Sequence, residues 1–374
     1  MLYQTHARVH LGNIRANIEG IRKAVGENRK ILIAVKANAY GHGAVEVSRM
    51  AERSGVDWLG VATVPEGIEL RRSGIGLPIL KLSPAFPEEM AAAFANGIAV
   101  AVCERSNIDA AQRVCAASGL SARVHLKVDT GMGRVGVTPE EAPAIAAYIE
   151  TACPSLRLEG VFSHFPVSDE RDQAYTAVQI GRFKTVVELV NAAIGRKVDL
   201  AHCSNSGAVL GHGAAWMDMV RPGIMIYGHY PDEGTPRSVS LLPGMSLLSR
   251  LSFVKKIAAG TSVGYGRTWI AQRDTWIGTI PAGYADGFNR LFSNKGRALV
   301  NGASYPIVGR VCMDQSMIDL GPETEARAGD EVVLMGRSGA CEITCEEWAS
   351  VLGTITYEVT CQINARVERV HDPY

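Results

Sequence analysis

Residues 31–43 read ILIAVKANAYGHG: five apolar residues in a row, then a lysine, then a stretch rich in small residues. An unbroken apolar run suits a strand buried on both faces, as in parallel sheets, whereas a half-exposed strand would alternate. Seven more runs follow: WLGVAT (58–63), LPILKL (77–82), GIAVAV (97–102), RVHLKV (123–128), LEGVFS (158–163), VDLAH (198–202) and VRPGIMIYG (220–228). Between them lie helical patterns, clearest where Ile180, Phe183, Val187, Val190 and Ile194 recur at spacings of three and four. Eight β/α alternations over about 200 residues predict an α/β fold of the (β/α)8 TIM-like barrel type. No GxGxxG follows the first run, which argues against a doubly wound sheet.

After about residue 236 the rhythm changes to short runs with turn residues at close intervals: LSFVKKI (251–257), TWIGTIPAG (275–283), RALVNG (297–302), SYPIVGRV (304–311), SMIDL (316–320) and EVVLMG (331–336). That pattern predicts a β-rich, mainly antiparallel C-terminal domain, interrupted by one helix beginning near Thr344 with CEEWASVLG. The hydrophilic segment GHYPDEGTPRS (228–238) is the expected junction. The expected organisation is a barrel domain over 1–235, whose first few residues pair with the other domain, and a β-rich domain over 236–374.

The 374 residues carry 38 basic and 38 acidic side chains, so the formal net charge is zero and the electrostatic footprint of a nucleic-acid or acidic-membrane binder is missing. A small neutral or zwitterionic ligand fits better. The start, MLYQTHARVHLGNIRAN, has no apolar signal core, and no stretch reads as a membrane span of about 20 residues, so a cytoplasmic protein is expected. The eight cysteines are scattered; only Cys341 and Cys345 lie close together, and they read as reduced thiols in an acidic surface segment. No second pair completes a zinc site, and no metal is expected.

Lys36 follows the first run directly, at the strand end where barrels of this kind keep their active sites. Partial burial there would lower its pKa and favour Schiff-base chemistry, although a lone lysine at such a place is commonly a snorkelling surface residue. Other residues reach the same rim. His164 follows the sixth run, Asn205 and Ser206 follow the seventh, and Arg221, Gly223 and Ile224 belong to the eighth and its exit. The seventh and eighth strand regions are the usual phosphate site of this fold. Taken singly, each has an ordinary reading as core histidine, helix cap or glycine turn. A phosphorylated cofactor beside a Schiff-base lysine means pyridoxal 5′-phosphate.

The motifs AVKANAYGHG, HLKVDTGMGRVG, SHF, SNS, VRPGIMIYG, VGYGRTW, PAGYADG, GRVCMDQ and TYEV, in this order, closely resemble the alanine racemase family. The resemblance runs from Lys36 to Tyr357. Related pyridoxal-phosphate decarboxylases share the barrel-plus-β architecture and small cofactor-homeostasis proteins have only the barrel, but neither is expected to carry the C-terminal motifs.

The resemblance implies a homodimer with shared active sites that interconverts L- and D-alanine and supplies D-alanine for peptidoglycan. It makes Lys36 the covalent anchor and one base, and Tyr265 of the partner subunit the other. An unperturbed tyrosine is about one part in a thousand phenolate at pH 7, so something cationic must sit close to it. The family pattern gives that task to His164 and Arg221, in a hydrogen-bond chain ending at the cofactor's pyridine nitrogen. A guanidinium only donates, so the nitrogen stays neutral and the carbanion short-lived, which disfavours transamination. Tyr40, Ser206, Tyr357 and the Gly223 and Ile224 amides are the implied phosphate ligands. Arg134 is implied to reach the cofactor's phenolic oxygen and the substrate carboxylate, and the backbone of Met313 of the partner subunit the same carboxylate. Tyr284, with Ile355 and Tyr357, is the implied entryway, with β-domain packing as the plainer reading. Lys127, on one strand face with His125 and Asp129, is implied to be carbamylated and to hold Arg134, the alternative being an unmodified lysine paired with a carboxylate. Rival functions are a serine or broad-specificity racemase, a non-catalytic carrier of the cofactor, and a cofactor-free barrel lyase.

Overall fold

The computed structural model describes residues 2–374, which divide into two units. One comprises residues 13–39 and 43–242, the other residues 2–12, 40–42 and 243–374.

The first unit is an eight-stranded sheet. Its neighbours run in the order Leu200–His202, Leu156–Phe162, Ala122–Lys127, Ile98–Val102, Ile79–Pro84, Trp58–Val61, Lys30–Ala34 and Met219–Val220. Every registered pair in it is parallel, and helices such as Ala44–Arg53 and Ala174–Ile194 make the crossovers. The two end strands meet where Asp218 N donates to Ala201 O at 3.1 Å, Ala201 N to Asp218 Oδ2 at 2.9 Å and Arg221 N to Ser204 O at 2.9 Å. The sheet thereby closes into a TIM-like barrel. One layer of its interior is apolar: Leu32, Trp58, Leu80, Ala99, Leu200 and Met219 pack as a buried cluster drawn from six strands.

The run VRPGIMIYG, expected as the eighth strand, departs from that expectation. Only Met219–Val220 is strand, and Ile224–Tyr227 is a 3-10 turn. Pro222 has no N–H to give the ladder, and Gly223 (φ −117°, ψ −98°) takes the chain off the β path. Residues 224–227 are all buried, so their apolar run reports burial and not strand.

The chain leaves the first barrel strand through an unusual turn. Ala37, Asn38, Ala39 and Tyr40 all have left-handed backbone, with φ between 51° and 54°. Each such non-glycine residue costs roughly 1–2 kcal/mol, least for asparagine. The turn is held by Ala39 N donating to Val35 O (2.8 Å), Gly43 N to Asn38 O (2.9 Å) and Ala44 N to Asn38 Oδ1 (2.8 Å). Glu66 adds a fourth hold: its Oε1 accepts from Ala37 N at 2.7 Å while Oε2 caps the helix Val64–Arg72 by accepting from Thr63 N at 3.0 Å.

The second unit holds a seven-stranded sheet in which the N-terminal strand His6–Val9 lies between Met245–Arg250, antiparallel, and Glu368–His371, parallel. Strands Phe253–Ile257, Thr275–Ile280 and Ser316–Gly321 make a separate antiparallel sheet. The helix Cys345–Leu352 begins at the Thr344 cap, as expected. A second helix, Thr356–Gln362, was not expected, because TYEVTCQ is rich in β-branched residues. Cys341 is half-buried and Cys345 buried, so the pair is not a surface feature.

Gly41 in this unit has φ +85°, and a Cβ there would fall on the carbonyl oxygen of Thr360. Gly41→Ala should therefore destabilise the protein by about 2–5 kcal/mol, the sum of left-handed strain and overpacking, seen as a lower urea midpoint at unchanged slope.

Candidate active site

The other part of the barrel interior is polar. Arg221, just past the eighth strand, is buried, and burial pulls its pKa down to about 10, which leaves it a cation at neutral pH. Its Nη2 donates to Ser163 O (2.7 Å), Cys203 O (3.3 Å) and His164 Nδ1 (3.3 Å), and its Nη1 to His202 Nδ1 (2.9 Å). A guanidinium cannot accept, so His164 Nδ1 holds the lone pair and Nε2 the hydrogen. Burial, followed by the charges of Lys127, Arg221, Arg134 and Lys36, pushes the His164 pKa well below its usual range. His164 is thus a neutral imidazole bonded to the Arg221 cation, with Lys127, Arg134 and Lys36 of the same unit near it. Lys36 itself is half-buried at the exit of the first strand.

Lys127 is buried on the fifth strand, with its Nζ 4.5 Å from the centre of the Phe162 ring. No carboxylate forms a salt bridge with it among the described residues, so the paired-lysine alternative has no counterpart here. Burial, then the charges of Arg221 and Arg134, holds its pKa well below that of an ordinary lysine. Asp129 does not continue the strand face with His125 and Lys127. Its carboxylate turns the chain, accepting from the amides of Gly131 (2.9 Å), Met132 (2.7 Å), Gly133 (2.8 Å) and Arg134 (3.2 Å). Partial burial raises its pKa, but those four bonds outweigh that and keep it below the usual carboxylate range. Arg134 is exposed at the end of this loop.

Asn205 caps the helix Ser206–Gly211, its Oδ1 accepting from Ala208 N (3.1 Å) and Ser168 Oγ (2.6 Å). Ser206 Oγ accepts from Gly223 N (2.9 Å) and Met225 N (3.4 Å), tying the seventh strand's exit to the turn that starts at Ile224. A hydroxyl, two backbone amides and their turn are therefore gathered at one point of the barrel rim.

The remaining expected residues lie in the second unit. The buried Tyr40 ring faces Tyr357 at 5.9 Å between centroids, and burial raises its phenol pKa. Tyr265 is 72% exposed on a turn between Gly264 and Gly266, and it lines one cavity with Lys255, Thr261, Met313 and Gln315. Tyr284 N donates to Cys312 O (3.1 Å) and Ala285 N to Met313 O (3.0 Å), which joins PAGYADG to the CMDQ loop. Beneath them the buried Asp286 accepts from Tyr3 OH (2.8 Å) and from Arg366 Nε and Nη2 (2.7 and 2.9 Å), and Arg366 also pairs with Asp314 (2.8 Å).

The sequence reading missed His202 and Glu159 and saw His125 only as a face neighbour of Lys127. His202 Nε2 meets His125 Nδ1 at 2.9 Å, and His125 Nε2 meets Glu159 Oε2 at 3.3 Å. The one available signal was polarity inside apolar runs, RVHLKV, LEGVFS and VDLAH.

Two family models match the chain, "Alanine racemase, N-terminal domain" over residues 9–231 and "Alanine racemase, C-terminal domain" over residues 244–371. The alanine racemase of Cutibacterium acnes is 47% identical over 367 residues, covering 98% of this chain and 97% of that protein. The alanine racemase of Clostridium difficile 630 superposes with a TM-score of 0.94 at 37% identity, covering 100% of this chain and 96% of that one. A further structure of the Clostridium difficile 630 protein, in complex with cycloserine, gives a TM-score of 0.92 at 36% identity over 99% and 96% of the two chains. With a TIM-like barrel, a β-rich second unit and full-length relatives above 30% identity, the chain belongs to the alanine racemase family of amino-acid isomerases.

Proposed function

We propose that the chain interconverts L- and D-alanine with pyridoxal 5′-phosphate, using Lys36 and Tyr265 as bases on opposite faces of the substrate. The carrying observation is the buried Arg221 cation bonded to a neutral His164, a pair that only donates outward. The donor set suits the cofactor group by group: the Lys36 amine for its aldehyde, the Ser206 hydroxyl and the Gly223 and Ile224 amides for its phosphate, Arg221 for its ring nitrogen. Tyr40 and Tyr357 are the proposed further phosphate ligands, with Asn205 capping the helix beneath. When bound, the cofactor supplies the electron sink that makes the alanine Cα–H acidic.

The residues then divide the work. Arg221 donates toward the ring nitrogen and so cannot protonate it fully. His164 Nε2–H donates toward the Tyr265 oxygen, favouring its phenolate. Arg134 and the Met313 backbone hold the substrate carboxylate, and Tyr284, with Ile355, narrows the entrance. Burial lowers the Lys127 pKa and so enlarges the share of its neutral amine, the form that attacks carbon dioxide: its nitrogen bonds to the carbon, a proton leaves, and the resulting carbamate anion holds Arg134. Tyr265, Met313 and Ile355 are each more than half exposed in one chain, as suits a homodimer in which one subunit completes the other's site. The same reading gives a cytoplasmic enzyme making D-alanine for peptidoglycan. No described helix is long and apolar enough to cross a membrane.

Racemisation assays with L-alanine, L-serine and L-lysine, with and without added cofactor, test the reading; turnover of serine or lysine in preference to alanine, or turnover independent of the cofactor, overturns it. Lys36→Ala should lose both the visible absorption of the bound cofactor and racemisation. Tyr265→Ala should slow α-deuterium exchange from L-alanine by about 10² to 10⁴-fold, the usual loss for one general base, while exchange from D-alanine through Lys36 survives far better. Equal losses from both enantiomers would contradict the division by face. Lys127→Met should raise the KM for alanine more than it lowers kcat, and mass spectrometry under added bicarbonate should find the carbamate only in the unsubstituted chain.

A further inference from the structure

The polar half of the barrel holds more than the reaction described above uses. Arg221, His202 and His125 are buried, and the Glu159 side chain is 12% exposed. They stand in a line: Arg221 Nη1 to His202 Nδ1 at 2.9 Å, His202 Nε2 to His125 Nδ1 at 2.9 Å, His125 Nε2 to Glu159 Oε2 at 3.3 Å. Both ends of this line have fixed hydrogen-bond character. A guanidinium has donors alone, and a carboxylate has acceptors alone.

We propose that Glu159, His125 and His202 form a one-way hydrogen-bond chain that fixes the direction and the electron demand of Arg221, which makes Glu159 a positioning residue for the reaction from the far end of the barrel interior. Arg221 donates to His202 Nδ1, so that nitrogen carries the lone pair. His202 then holds its hydrogen on Nε2 and donates to His125 Nδ1, and His125 donates from Nε2 to Glu159. Any other neutral assignment sets two hydrogens or two lone pairs face to face. An imidazolium at either ring does the same. Burial acts in the same direction, lowering the pKa of both rings.

The surroundings hold the rings in line. Phe162 stacks on His202 with centroids 4.9 Å apart and planes within 7°, and Trp58 meets His125 edge-on at 5.4 Å. Position 160 is glycine, and a Cβ there would fall 2.3 Å from His125 Nδ1, too close for the ring to keep its place. Arg123 Nη1, 3.4 Å from Glu159 Oε1, keeps the carboxylate charged at the chain's end. Burying a guanidinium and two imidazoles costs more than the apolar packing found in the neighbouring layer, so bulk stability alone does not account for them. Arg221 is where the line branches: Nη1 serves this chain, and Nη2 serves His164 and the carbonyls of Ser163 and Cys203. A carboxylate-backed acceptor on Nη1 therefore sets how far the guanidinium is drawn back from the groups it faces outward.

The proposal rests on the reading that Arg221 faces the cofactor's ring, and two measurements separate its failure from that of the reading. In the holoenzyme with 15N-labelled histidine, the nitrogen shifts of His125 and His202 should report neutral rings protonated on Nε2; protonation on Nδ1, or on both nitrogens, at either ring overturns the chain whatever the enzyme catalyses. Glu159→Gln leaves an acceptor for His125 and removes the charge. It should keep the urea midpoint and both tautomers, lower kcat for alanine about tenfold at unchanged KM, the scale on which outer partners of a reactive centre act, and change the fraction of turnovers lost to transamination. His202→Phe should lower kcat further, and adding Glu159→Gln to it should cost nothing more, because members of one unit are not additive. Wild-type kcat and transamination in Glu159→Gln, or losses that multiply in the double variant, overturn the proposal. An unsubstituted enzyme that racemises no alanine defeats the earlier reading, and the tautomers still decide the chain.

Discussion

Burying the Arg221 guanidinium is the constraint on which much of the barrel depends. An uncompensated buried charge costs several kcal/mol, and a guanidinium offers no lone pair, so each of its hydrogens needs an acceptor brought to it. The exits of the sixth and seventh strands bring two acceptors, the Ser163 and Cys203 carbonyls, and His164 and His202 each bring a ring nitrogen. Those imidazoles then have to stay neutral, which the low-dielectric interior enforces by disfavouring their charged forms. Layers of branched aliphatics would have packed the same volume without these demands. Polarity here has been accepted at a cost in stability, and that is the usual mark of a functional interior.

A second cost lies in the turn after Lys36. Four left-handed residues in succession are unfavourable, and they persist because Asn38, Glu66 and the barrel backbone satisfy the turn's hydrogen bonds. Glu66 is well sited for this, since the same carboxylate caps the helix behind the second strand. Lys36 is thereby held between a rigid strand and a rigid turn. Little of its mobility lies in the backbone; what remains is in the side chain's own torsions.

Much of the barrel was legible because strands buried on both faces write themselves as continuous apolar runs, ILIAV and GIAVAV being the plainest. The same rule misread VRPGIMIYG, since burial without a ladder leaves an identical run and Pro222 was the one dissenting residue. TYEVTCQ misled in the opposite direction, with β-branched residues that tertiary packing holds in a helix. The groups proposed to react were singled out through motifs, above all the lysine after the first run and the tyrosine between two glycines. The line from Arg221 to Glu159 was not, because its partners lie 77 and 34 positions apart and no local spacing encodes that closeness. Asp129 was seen on the strand face and is found shaping the loop that ends at Arg134, since a carboxylate one residue past the ladder finds free amides to bind.

The strand His6–Val9 has consequences for how the molecule is made. Its sheet neighbours, Met245–Arg250 and Glu368–His371, are synthesised long after it. At ribosomal rates of about 5–20 residues per second, it waits roughly 10–50 s for the first of them. During that interval it is an unpaired edge with alternating side chains, open to wrong partners. Of the barrel strands between them, those from Trp58–Val61 to Leu156–Phe162 pair only with their neighbours in sequence, and the one long wait is at the edge of Lys30–Ala34 that closes on Met219–Val220. His6–Val9 therefore leaves the ribosome before the other strands described here and is among the last of them to complete its pairing.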